Sequence, residues 1–217
     1  MNKQAAVVVA ALLASSAASS AVITWTDWGA VKHGVATGTI NAPSGTVNVS
    51  YSDSYSFVQT GCGIAYWSPG TYNGAFNKPF DCDIVALNAG GTKTISFDTA
   101  VTNPYLALQS WNGNTVRFDA AFDVVSNGSG YWGSGTPIVD GDDMGFFGSG
   151  EVHAILRFNG TFNSISFTDT SENWHGFTVG IADRASVVPA PATLALVLPA
   201  LALVLGGAAA RRRRQQG

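Results

Sequence analysis

Between residues 22 and 187 apolar and polar residues alternate in short runs broken by Gly, Asn, Asp and Ser. Thr46-Val47-Asn48-Val49-Ser50-Tyr51 alternates strictly, the period of a strand with one buried face. Comparable runs predict strands over 22–28, 35–40, 83–88, 93–98, 105–111, 115–118, 121–126, 152–158, 162–168 and 175–181. Turn clusters separate them: Asn88-Ala89-Gly90-Gly91, Asn112-Gly113-Asn114, Asn127-Gly128-Ser129-Gly130 and Asn159-Gly160. No amphipathic helix longer than two turns stands out. The segment has the length of one domain with a proper core. It predicts an all-β fold, a jelly-roll-like β-sandwich, rather than βαβ units. A shift of 70 residues superimposes Ile95, Ser96, Phe97 and Asn103 on Ile165, Ser166, Phe167 and Asn173, an echo that two related halves of a sandwich would produce.

The two ends follow a different pattern. Residues 1–21 have a positive start at Lys3, an apolar run from Ala5 to Ala14 and small residues up to Ala21. That is the order of a secretory signal helix, cut by signal peptidase after Ala21. At the other end Val188-Pro189-Ala190-Pro191 is extended and stiff. Ala192 to Ala210 carries no charge. As a helix it is roughly 28 Å long, close to the roughly 30 Å of a bilayer's hydrocarbon core. Arg211, Arg212, Arg213 and Arg214 close this transmembrane span and by the positive-inside rule stay in the cytoplasm.

This tail, residues 188–217, resembles a PEP-CTERM sorting signal: a Pro-x-Pro motif, an apolar helix and an arginine cluster in fixed order. The resemblance implies a Gram-negative bacterium and an exosortase-type membrane enzyme that cuts near Pro189–Pro191. It also implies delivery to the cell surface or extracellular matrix, in association with exopolysaccharide and biofilm. The middle position, usually Glu in that family, is Ala190 here. The phrases Asp83-Ile84-Val85-Ala86-Leu87, Val101-Thr102-Asn103-Pro104 and Glu172-Asn173-Trp174-His175-Gly176-Phe177-Thr178-Val179-Gly180 look like the ectodomains of some uncharacterised PEP-CTERM proteins, which implies a shared fold and no particular activity.

Charge narrows the partners. All 14 acidic residues fall between Asp27 and Asp183, and the body carries a net −8. No basic footprint for nucleic acid exists there. Cys62 and Cys82 are the only cysteines, and in an exported chain they are expected to form a disulfide.

Motifs for catalysis are scarce. His33, His153 and His175 do not fit a His-Glu-x-x-His helix, and no Gly-x-Ser-x-Gly elbow or phosphate loop is present. His153 reads as a packed or surface histidine. Glu151 and Glu172 are the only glutamates, and sequence spacing alone does not place them across a cleft, as glycoside hydrolysis needs. Asp140-Gly141-Asp142-Asp143 gathers three carboxylates at a turn, a candidate for calcium or for a solvated acidic turn. Trp25, Trp28, Trp111 and Trp174 fall in or beside strands and read as core or rim. Trp67 with Tyr72, and Tyr131 with Trp132, fall in loops and are candidates for a sugar-stacking platform. The expected whole is a signal peptide (1–21), a β-sandwich ectodomain (22–187) and a sorting tail (188–217). The ectodomain reads as a non-catalytic structural or binding component, with carbohydrate binding or glycan-acting catalysis as alternatives.

Overall fold

The computed structural model describes residues 22–67, 69–72 and 77–182. The signal segment and the sorting tail lie outside the described residues. Among those described, no helix is long and apolar enough to cross a membrane.

The chain folds as β1 (Ile23–Trp25), β2 (Asp27–Trp28), β3 (Ala36–Ala42), β4 (Gly45–Tyr51), β5 (Phe57–Thr60), a single helical turn α1 (Pro69–Tyr72) and β6 (Asp83–Leu87). It continues through β7 (Gly91–Thr102), β8 (Pro104–Trp111), β9 (Thr115–Phe118), β10 (Phe122–Gly130) and β11 (Gly133–Val139). It ends with β12 (Gly145–Gly150), β13 (Val152–Phe158), β14 (Thr161–Asp169) and β15 (His175–Ala182). The strands form one antiparallel sheet, nearly closed into a barrel, in the order β2-β3-β4-β7-β14-β9-β12-β11-β10-β13-β8-β15-β6-β5, with β1 beside β15. The all-β expectation is met. The two strands of the 70-residue echo are neighbours: β7 and β14 pair with Ile95 opposite Ile165.

The halves of the sheet differ in burial, and their sequences show why. Strands β3 and β4 alternate buried and exposed positions, with Ile40, Val47 and Val49 inward. Their other face meets water. Strands β6 and β8 are buried at every position. One face of that half meets the main core, where Leu106, Leu108 and Phe177 join Ile40, Ile95 and Phe167. Its other face is covered by a second cluster in which Trp25, Tyr66, Trp67 and Tyr72 pack on Ile84, Ala107 and Ile155. A strand covered on both faces needs a continuous apolar run, as Asp83-Ile84-Val85-Ala86-Leu87 largely is.

The covering segment is tied down by the Cys62–Cys82 disulfide, as the sequence predicts. It closes a loop of about 20 residues, worth about 3 kcal/mol in the chain-entropy account. Replacing both cysteines by serine should lower the unfolding free energy by about that amount. Denaturant unfolding of the two proteins checks it, and equal stability would show that the loop is held by its aromatic packing alone.

Candidate functional site

At one end of the doubly covered half, four chain segments converge on a cleft of about 370 Å³. It is lined by Ser110, Asn112, Trp132, Glu151, Glu172, Asn173 and Trp174.

Strand β8 supplies the floor. Its pairing with β13 slips between Trp111–Val152 and Leu108–Ala154. This bulge leaves Ser110 in the left-handed region at φ 58. Bulges re-aim side chains, and a non-glycine residue at positive φ persists only where its surroundings hold it. Here the Ser110 hydroxyl donates to Glu151 Oε2. The turn after β8 then brings Asn112 between the two glutamates. Its side-chain Nδ2 donates to Glu151 Oε1 at 2.8 Å, and its backbone N–H reaches both oxygens of Glu172 at 3.1 Å. Strand β13 begins just after Glu151, and β15 just after Trp174. The two glutamates, 21 positions apart, are therefore brought to one place by strand ends.

The wall is aromatic. Tyr131 and Trp132 form the tip of the β10–β11 hairpin and are 49% and 45% exposed. Trp132 lies against Trp174 with ring centres 4.5 Å apart, and Tyr66 backs both. The platform expected at Tyr131 and Trp132 is thus solvent-facing. The one expected at Trp67 and Tyr72 is not, a correction: both rings are buried, 1% and 0% exposed. Their polar ends explain it. Trp67 Nε1 donates to the Asp83 carbonyl and the Tyr72 hydroxyl to the Leu108 carbonyl, so neither ring needs water. Trp174, read as core or rim, lines the cleft.

Behind Glu172 lies a buried polar chain that the sequence does not reveal. Lys93, Asp169 and His175 are fully buried at their side chains. The Lys93 ammonium contacts Asp169 Oδ1 at 2.5 Å, and Asp169 Oδ2 meets His175 Nε2 at 2.9 Å. An ion-paired carboxylate only accepts, so His175 donates from Nε2. Burial lowers the His175 pKa despite Asp169, which keeps the ring neutral. Its Nδ1 is then a lone pair with no good hydrogen bond, 3.4 Å from Glu172 Oε2. Glu172 itself is pushed up to about 8, first by burial and further by the charges of Glu151 and Asp169, while the Asn112 N–H and the Asn114 side chain oppose the shift. His153, behind Ser110, is pushed down to about 4 by burial.

The raised carboxyl makes stability depend on pH. The unfolded chain ionises Glu172 near its ordinary 4.5, whereas the folded chain holds the proton to about 8. Its stabilising contribution is full below about 4.5 and is lost as pH rises through about 8. Glu172→Gln should remove this loss. Urea unfolding at pH 5 and pH 8.5 checks it: wild type should lose more stability between the two than the variant.

The acidic turn behaves differently. Arg117 contacts Asp142 at 2.5 Å and Asp140 at 3.5 Å, holding the Asp142 carboxyl below its usual range. A cation already sits on two of the three carboxylates, and the exposed Asp143 takes the left-handed bend at φ 57. Among the described residues no group of three His, Cys, Asp or Glu is arranged to hold a metal.

A larger hollow of about 610 Å³ lies on the water-facing side of β3, β4 and β7, lined by Asp27, Thr37, Thr39, Asn48, Ser50 and Asp98 among others. It has no exposed ring, and its Asp98 carboxylate is occupied by the backbone and side chain of Asn48. The smaller cleft holds the richer chemistry.

The chain matches no known family, no curated protein and no solved structure.

Proposed function

We infer that this is an exported cell-surface or matrix protein whose ectodomain, a β-sandwich of jelly-roll type, binds carbohydrate in the Trp132–Trp174 cleft. The single observation that carries the reading is the composition of that cleft: two indole rings beside a carboxylate, a carboxyl and an amide. Indole faces bury the C–H surface of a sugar ring, while directional acceptors and donors take its hydroxyls. Among the described residues no Lys or Arg lines the cleft, and the body is strongly acidic, which favours a neutral glycan over an anionic one.

Export is supported from three sides. The N-terminal segment has the order of a signal peptide. The tail resembles an exosortase sorting signal. The one disulfide fits an oxidising compartment. Signal peptidase would act after Ala21 and an exosortase-type enzyme near Pro189–Pro191, with the membrane held through the C-terminal helix until then. Exopolysaccharide of the surrounding matrix is the natural ligand class on this reading.

Titration calorimetry with neutral oligosaccharides tests it. Binding should weaken about tenfold in Trp132→Ala, the loss of one stacking face. Phe80→Ala, an exposed ring outside the lining of the cleft, should bind as wild type. Equal affinity of Trp132→Ala and wild type would overturn the assignment.

A further inference from the structure

We propose that the cleft also cleaves what it binds: Glu172 and Glu151 form an acid–base pair that hydrolyses a glycosidic bond in a neutral polysaccharide. The inference rests on the carbohydrate-binding reading and deepens it. Its basis is the placement of the chain's two glutamates in one aromatic-walled cleft, with different surroundings for each.

Glu151 receives two donors, the Ser110 hydroxyl and Asn112 Nδ2, both suited to a fixed carboxylate. Glu172 faces a buried, neutral imidazole whose Nδ1 lone pair has no other partner. A lone pair opposite an ionised carboxylate is repulsive. Opposite a carboxyl O–H it accepts. The tautomer that creates this arrangement is set by the contact of His175 Nε2 with Asp169, whose other oxygen lies against Lys93. The groups facing Glu172 are therefore the carboxyl groups of Glu151 and Asp169, the neutral His175, the Asn112 N–H and the Asn114 side chain. The two carboxyl groups and burial favour a proton on Glu172, the two asparagine donors oppose it, and burial is the largest effect. Two carboxyl groups in unlike settings are what acid–base cleavage of a glycoside requires.

The step balances as follows. Glu172 gives its proton to the glycosidic oxygen as the bond from that oxygen to the anomeric carbon breaks, releasing one sugar as an alcohol. A water adds to the anomeric carbon, and Glu151 takes the proton that this water loses. The products are a new reducing end and a new hydroxyl, with one water consumed. Glu151 then returns its proton to solvent and Glu172 takes one up, so both groups are restored. His175 acts as a positioning residue, through Glu172. The strain at Ser110 is consistent with a site that holds its base in place.

The experiment uses the purified full chain and a panel of soluble neutral glucans, mannans, galactans and xylans. Binding is followed by calorimetry, and reducing ends by colorimetry and mass spectrometry. For a polysaccharide that is bound, reducing ends should accumulate and carry oxygen from isotopically labelled water. Glu172→Gln and Glu151→Gln, each checked for folding by circular dichroism, should cleave the polysaccharide about 100-fold or more slowly when it is supplied at saturating concentration. If either variant misfolds, the other carries the test. Binding without new reducing ends overturns the catalytic inference and leaves the binding reading standing. Cleavage unchanged in both variants overturns it too. Failure of every polysaccharide to bind or be cleaved overturns both readings.

Discussion

Lys93→Met should lower the unfolding free energy by about 3–5 kcal/mol, because it strands a buried carboxylate. Lys93 is fully buried at its side chain, as is Asp169, and its ammonium also donates to the Ala89 carbonyl at 2.8 Å. Methionine fills much of the same volume, so a large loss would come from charge rather than from a cavity. Without the ammonium, Asp169 keeps the His175 N–H as its side-chain partner among the described residues. Adding Asp169→Asn to Lys93→Met should recover part of the stability, since the stranded charge is gone. For a domain of this size the single substitution should cost roughly 10 °C of melting temperature. A melting temperature within a degree or two of wild type would contradict a stabilising buried ion pair between Lys93 and Asp169.

Gly148→Ala should cost about 3 kcal/mol or more, through a clash of backbone with backbone. A Cβ at Gly148 would stand 2.2 Å from the Trp111 carbonyl oxygen. Nothing there is a flexible side-chain end that can turn aside. The Gly148 N–H donates to the Asn114 carbonyl and its own carbonyl accepts from Gly113, both at 2.9 Å. Strand β12 is thus fastened to the turn that carries Asn112, the residue that holds both glutamates. Displacing that turn should damage the cleft as well as the fold, so the variant should also lose glycan affinity. Gly141→Ala is the control: nothing lies within 4 Å of its Cβ, and its effect should stay within about 0.5 kcal/mol. Denaturant unfolding of both proteins checks the pair. Equal stabilities would contradict the close approach at Trp111.

Much of the sheet is legible in the sequence, because alternation survives wherever one face meets water and continuous apolar runs mark strands covered twice. The misses share a physical cause. Strand β12, Gly145-Phe146-Phe147-Gly148-Ser149-Gly150, reads as a loop because glycine is rich in it. Those glycines instead admit close neighbours: the Val116 carbonyl at Gly145 and that of Trp111 at Gly148. Strand β11 contains Pro137, which weakens any strand reading. The expected turn Asn127-Gly128-Ser129-Gly130 is the end of β10, where Gly130 leaves room for the His153 ring.

The site is less legible than the fold. Tyr131 and Trp132 are accessible, as loop aromatics between glycines suggest. Trp67 and Tyr72 carry the same local signal and are buried, because the disulfide-closed segment lies down on the sheet. Glu151 and Glu172 meet through strand ends and a bulge, which residue spacing does not encode. The Lys93–Asp169–His175 chain combines three strands that come together only in the folded sheet, with Lys93 on β7, Asp169 on β14 and His175 on β15. The acidic turn reads locally as a calcium candidate or a solvated turn, and its partner Arg117, 23 positions before Asp140, lies outside any local motif.

The most direct test of the central claim is a crystal structure of the protein with a neutral oligosaccharide bound. The expected result is a sugar ring stacked on Trp132 or Trp174, with hydroxyls within hydrogen-bond distance of Glu151, Glu172 or Asn112. A sugar seated instead over Thr39, Asn48 and Asp98 on the outer sheet face, with the Trp132 cleft empty, would contradict it.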